Sequence, residues 1–203
     1  FKIVRLMGFK YTIYRIYYEI FIRCGLFTLK FPQKSQYNIN DDILDKWYRN
    51  SNIGFFYSRE QRKQNFPPII KNIDLSNLKD RIEKYQAGGK LFFRKKWFYF
   101  NGIEWNHNIK TGKNYPMIHW SKINALDREL GDIKYVWERS KFSEIQDYLL
   151  YDLISGENQI KYILPDIIYW IKCNPINTGP NWLCSQEISL RLINWSFFIH
   201  FYK

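Results

Sequence analysis

At 203 residues and 24.9 kDa the chain has the size of one domain, or of one domain carrying an arm. Its 46% hydrophobic and 20% aromatic content excludes a disordered polyelectrolyte, and three widely spaced cysteines (Cys24, Cys173, Cys184) exclude a disulfide scaffold or a CxxC zinc site. The net charge of +12 calls for an acidic partner, whether nucleic acid, an anionic membrane face or an acidic polysaccharide, and composition does not choose among them.

The first segment reads as a basic amphipathic helix. Ile13, Ile16, Tyr17, Ile20, Phe21 and Cys24 form one stripe at helical spacing, while Arg15, Glu19 and Arg23 mark another face and Gly25 a stop. Those three charges interrupt the most apolar early stretch, so neither a spanning helix nor a signal-peptide core is predicted. The stripe is expected to pack on its own domain, with peripheral contact to a membrane surface as the alternative. From Phe31 to Ile70 the pattern breaks at Pro32, Pro67 and Pro68. This region reads as irregular arm, with one short helix near Ile43 to Tyr48.

Leu78, Ile82 and Tyr85 predict a helix capped by Ser76 and closed at Gly88-Gly89. A short β-hairpin is expected near residues 91–105, with Asn101-Gly102 as its turn. Asn106 to Gly131 reads as a long aromatic loop holding His107, His119 and Trp120. Beyond it the chain becomes regular. One helix is expected from Asp132 to Ser155, a second from Asn158 to Lys172 with Pro165 inside, and a third carrying Ile188, Leu192, Trp195, Phe198 and Tyr202. Short turns between them imply antiparallel neighbours, an all-α design. Residues 1–72 are thus an N-terminal amphipathic helix and arm, and residues 73–203 a helical domain.

Few motifs of catalysis are present. There is no HxxxH, GxSxG, GxxxxGK[ST] or GxGxxG, so metal, serine-hydrolase, P-loop and dinucleotide chemistries lose their main support. Cys184 reads as a packing thiol. Arg94-Lys95-Lys96, flanked by Phe93 and Trp97, reads as solvated basic surface, and no nucleic-acid partner is expected. The segment from Asn174 to Trp195 crowds Asn181, Trp182, Gln186, Glu187 and Arg191 around a helix start. Glu187 and Arg191 stand i,i+4 and can pair. A sugar-binding mouth, with Trp182 stacking on a pyranose, and an ordinary capped helix start stand level on residue chemistry alone.

Read in order, AGGKLFFRKKWFYF (87–100), IEWNHNIKTGKNYP (103–116), HWSKIN (119–124), GDIKYVWERSKF (131–142) and NPINTGPNWLCSQEISLRLINW (174–195) resemble the N-terminal region of the heparinase II/III family of polysaccharide lyases, which includes alginate-lyase-like members. Glu104 stands where the family usually has Asp, Asn106-His107 reads as a swapped pair, and Lys141 stands where Arg is common. The resemblance implies an incomplete (α/α) toroid of antiparallel helix hairpins and, in the full protein, β-elimination on a uronic-acid polysaccharide. It implies that Asn181, Trp182, Gln186, Glu187 and Arg191 line or buttress a cleft, supported by Trp105, His107, Trp120 and Trp137. Trp137 and Trp195 lie on apolar helical stripes and are expected in the core.

The resemblance further implies no cofactor, an acidic polysaccharide as partner and a periplasmic or cell-envelope setting. The family's catalytic Asn-His pair and Tyr fall beyond the last helix, so no catalytic residue is carried onto this chain, which is expected to be a part of a longer protein and inactive alone. A non-catalytic glycan-binding or polysaccharide-assembly protein on the same scaffold is the alternative.

Overall fold

A computed structural model describes residues 6, 8–34, 73–100, 102 and 104–202. The helix expected near Ile43 to Tyr48 lies outside the described residues.

Helix α1 (Phe9–Arg23) and the short α2 (Leu26–Lys30) are joined at Gly25, whose φ of +68° lets the chain turn sharply. The expected packing of the α1 stripe on the domain is not what the structure shows. No α1 residue is buried, and Ile16 and Ile20 are 55% and 51% exposed. The turn at Gly25 instead folds α2 back, so that Phe27 fills the space beside Tyr18 and Phe21 and reaches Trp120, with ring centroids 5.4 Å apart. The arm is thereby anchored through α2.

A polar buckle completes that anchor. The Ser121 amide donates to His119 Nδ1, which leaves Nε2 to carry the proton and donate to the Phe31 carbonyl at 2.8 Å. Asn177 Nδ2 donates to the Pro32 carbonyl and Gln33 Nε2 to Thr178 Oγ1, each at 3.0 Å. Both His119 nitrogens are thus occupied in holding structure.

Helix α3 (Leu75–Gln86) is capped by Asp74, not Ser76: Asp74 Oδ1 accepts from the amides of Ser76 and Asn77. A carboxylate two residues earlier reaches both orphan amides, and it draws in the Ser76 hydroxyl as well. Strands β1 (Gly89–Phe92) and β2 (Lys96–Tyr99) form the expected antiparallel hairpin, but the turn is Phe93-Arg94-Lys95, ahead of Asn101-Gly102. The Lys95 amide donates to the Phe92 carbonyl at 2.9 Å across two residues with positive φ. Positive φ at both central positions is the primed geometry that matches strand twist. Phe92, 1% exposed, fixes the register by burying its ring against Phe98, Phe100 and Tyr135.

The aromatic loop is not extended coil. Two-residue strands β3 (His107–Asn108) and β4 (Lys113–Asn114) pair, and Tyr115, Ile123, Ile133 and Val136 form a small core of their own. The single helix expected from 132 to 155 is two, α4 (Lys134–Ser140) and α5 (Glu144–Ser155). Phe142 breaks it with a φ of +56°, and its ring, fully buried, lies between Trp105 and Trp195 at 5.5 Å from each. Burying a ring in the main core outweighs continuing the helix. Helix α6 (Ile160–Cys173) contains Pro165 and ends at Asn174, as expected, and α7 (Ser185–Tyr202) is the longest. Helix α5 packs against both α3 and α7, while Ile163, Ile167 and Trp170 bring α6 into the same core. The described residues are mainly helical with two small sheets.

Candidate functional site

Three motifs that are far apart in sequence are bonded to one another in a buried joint. Asn181, with no exposed surface, donates from Nδ2 to the Trp105 carbonyl at 3.2 Å and to Asn174 Oδ1 at 2.8 Å. Arg191, 3% exposed, donates from Nε to the Ser140 carbonyl and from Nη2 to the Asn181 carbonyl, both at 2.9 Å. Its guanidinium carbon stands 4.0 Å from the Trp170 ring centroid. Arg139 makes a parallel contact, 4.0 Å from the Trp105 ring, and donates to the Glu104 carbonyl. Burial lowers both guanidinium pKa values, to about 9 for Arg191 and about 10 for Arg139. The chain accepts that cost because each guanidinium satisfies carbonyls that end helices or loops.

Asn181 and Arg191 therefore face no groove, and the mouth expected at residues 181–191 is an interior clamp. Glu187 is also buried. It does not form the expected pair with Arg191 and instead stands 3.5 Å from Lys141 Nζ, with burial raising its pKa. Trp182 is half-buried, its indole N–H donates to the Asn174 carbonyl, and its ring packs against Trp170. Gln186 alone of the five is exposed. Among the supports, Trp105 is buried in the joint, His107 is half-buried with Nδ1 2.6 Å from Asn114 Oδ1, and Trp120 packs on Phe27. Trp137 donates to the Pro180 carbonyl, and Trp195 lies edge-on to Trp170 within the core cluster. Cys184 is half-buried.

Besides a concavity of about 230 Å³ against Trp105 and Asn174 themselves, two that gather charged side chains lie nearby. The smaller, about 170 Å³, holds Lys90, Arg139, Glu144, Tyr148 and Asp166. Lys90 Nζ donates to Glu144 and, at 2.9 Å, to Asp166. Burial pulls its ammonium down, but the two carboxylates outweigh burial and hold it above its ordinary value. Its charges are spent on one another.

The larger, about 310 Å³, is a groove between the hairpin tip, α5 and α7. That volume is at the lower end of small-ligand sites, roughly 300–1,000 Å³. Its lining includes Phe93, the amides of Gln146 and Asn194, and three cations, Arg81, Arg94 and Lys141, against two carboxylates, Glu138 and Asp147. Arg81 is paired with Asp147, and Lys141 with Glu138. Arg94 forms no ion pair among the described residues, although Asp147 lies near enough to feel its charge, so the groove carries one cation more than it has carboxylates. Phe93, 41% exposed, stands next to it. Tyr85 donates to Asp147 at 2.6 Å, and burial together with that carboxylate pushes its phenol well above the ordinary value. Such a tyrosine keeps its proton at neutral pH.

Comparison with protein-family models, curated proteins and solved structures returns no match. Among the described residues no group of three or more His, Cys, Asp or Glu could hold a metal ion. The groove lies along the helix that the sequence singled out, but one and two turns further on, at Leu190, Ile193 and Asn194. In the sequence, Arg94 is indistinguishable from Lys95 and Lys96. Only the folded hairpin separates it from them.

Proposed function

We propose that this chain is the acidic-polysaccharide-binding N-terminal part of a heparinase II/III-like lyase, its helices forming the opening portion of an (α/α) toroid. The groove carries this reading: it combines a guanidinium that forms no ion pair among the described residues with an exposed aromatic ring, the chemistry that grips a negatively charged sugar. The buried joint supports the scaffold half of the reading, because the segments around Trp105, Ser140 and Asn181–Arg191 that carry the resemblance hold one another in place.

The reaction is supplied by the resemblance. A base removes the proton at C5 of a uronic acid, the electron pair forms the C4–C5 double bond, and the glycosidic oxygen leaves C4 with a proton from an acid. Stabilising the enolate-like transition state requires acid–base groups within hydrogen-bond reach of C5 and of the leaving oxygen. In this reading the groove holds the polymer, and no acid–base role is assigned to its residues.

Calorimetric titration of the chain with a uronate tetrasaccharide at moderate salt tests the reading. Saturable binding of one ligand per chain, together with no unsaturated product, is the expected result. Binding that is unsaturable and indifferent to whether the polyanion is a uronate or DNA would overturn it. A non-catalytic glycan-binding protein would bind alike.

One observation favours a second contact. The exposed apolar face of α1, flanked by Lys10, Arg15 and Arg23, suits an anionic membrane surface, although no helix among the described residues is long and apolar enough to cross one. Co-sedimentation with anionic vesicles, lost on Ile16→Glu/Ile20→Glu substitution, is the expected outcome; equal recovery of the variant would remove this contact.

A further inference from the structure

Phe93 and Arg94 hold φ values of +53° and +56°, in consecutive non-glycine positions. Left-handed backbone costs roughly 1–3 kcal/mol per residue and persists where the surroundings enforce it. Here the enforcement is visible. Phe92 is sealed beneath the turn, and the Phe93 amide donates to Glu138 Oε2 at 3.0 Å, while Lys141 holds the other oxygen of that carboxylate. The Phe93 ring meets Tyr135 edge-on at 5.3 Å. The turn is therefore a fixed projection that presents one aromatic ring and one guanidinium on the rim of the groove.

We propose that the Phe93-Arg94 turn is the element that reads the sugar's carboxylate, with Phe93 stacking on a pyranose ring and Arg94 pairing with the carboxylate of the same or the adjoining residue. The proposal rests on the acidic-polysaccharide reading above and assigns its selectivity to one residue. Three features support Arg94 over its neighbours. It lines the groove and Lys95 and Lys96 do not; it lacks an ion pair among the described residues; and a guanidinium binds a carboxylate through two parallel N–H donors, which an ammonium cannot do. Lys96 is turned to the ring of Phe98, 5.3 Å away.

The test compares a uronate tetrasaccharide with its carboxyl-reduced, neutral counterpart, using the whole chain. Wild type is expected to prefer the uronate by about ten- to a hundredfold, the worth of one charge-assisted contact. Arg94→Gln should reduce that preference to within about threefold, Arg94→Lys should fall between the two, and Phe93→Ala should weaken both ligands alike. Lys95→Gln removes the same charge outside the groove and should leave the preference intact. Equal losses in Arg94→Gln and Lys95→Gln would assign the effect to bulk charge and overturn the proposal, as would an undiminished preference in Arg94→Gln. A wild-type chain that binds neither sugar sinks the acidic-polysaccharide reading itself. Arg94 is exposed, and an unchanged unfolding midpoint or a raised one certifies that each variant is folded.

Discussion

Arg191 lies over Trp170, its guanidinium carbon 4.0 Å from the ring centroid, while two of its nitrogens hold the carbonyls of Ser140 and Asn181. One side chain thus ties α7 to the end of α4 and to the 3-10 turn Pro180–Trp182. Removing it strands two acceptors in the interior. Arg191→Met is expected to destabilise the chain by about 3 kcal/mol, read from the urea midpoint. A change below about 1 kcal/mol would show that the joint is not a principal support.

Glu187 yields a pH dependence of defined direction. Burial raises its pKa above the ordinary 4.5, with Lys141 opposing. A carboxyl with a raised folded-state pKa binds more protons folded than unfolded, so stability rises as pH falls through the folded value toward the unfolded one. Wild type should therefore gain more, or lose less, stability between pH 7 and pH 5 than Glu187→Gln does. Identical pH profiles for the two proteins would contradict the burial argument.

Strain in the hairpin tip predicts an opposition between stability and binding. Arg94→Gly relieves a left-handed non-glycine residue and should raise stability by about 1 kcal/mol while abolishing uronate selectivity. Thermal unfolding and sugar titration of the same variant check both halves.

The opposite holds at Gly89. A Cβ there would stand 2.7 Å from the Lys84 carbonyl and 3.1 Å from both Trp97 and Tyr99. Gly89→Ala is expected to cost about 1–3 kcal/mol, because a helix carbonyl cannot retreat as a flexible side chain can.

The elements that follow local rules were legible in the sequence. The stop of α5 at Ser155-Gly156 and that of α6 at Asn174-Pro175 are written in residue type and spacing, whereas α7 buries Glu187, Arg191, Asn194 and Phe198 and leaves Leu192 of the expected stripe 54% exposed. Phe142 is different, since nothing local marks a phenylalanine as a helix breaker, and its positive φ is imposed by the slot between Trp105 and Trp195. Asn101-Gly102 advertises a turn more strongly than Phe93-Arg94, yet the burial of Phe92 selects the earlier register.

The site was legible only as a neighbourhood. Asn181, Glu187 and Arg191 look like a polar mouth because residue type does not reveal burial. The partners of Asn181 and Arg191 include the backbone carbonyls of Trp105 and Ser140, which no side-chain pattern encodes. Arg94 is hidden for the complementary reason: three basic residues in a row look alike until a turn directs one of them into a groove.

Gripping of an acidic sugar by the groove beside the hairpin tip is best tested by backbone-amide NMR of the chain during titration with a uronate tetrasaccharide. Saturable shifts concentrated at Phe93, Arg94, Gln146 and Asn194 are expected. Shifts centred instead on Lys90 and Asp166, or spread evenly over the surface lysines, would place the sugar elsewhere and refute the groove as its site.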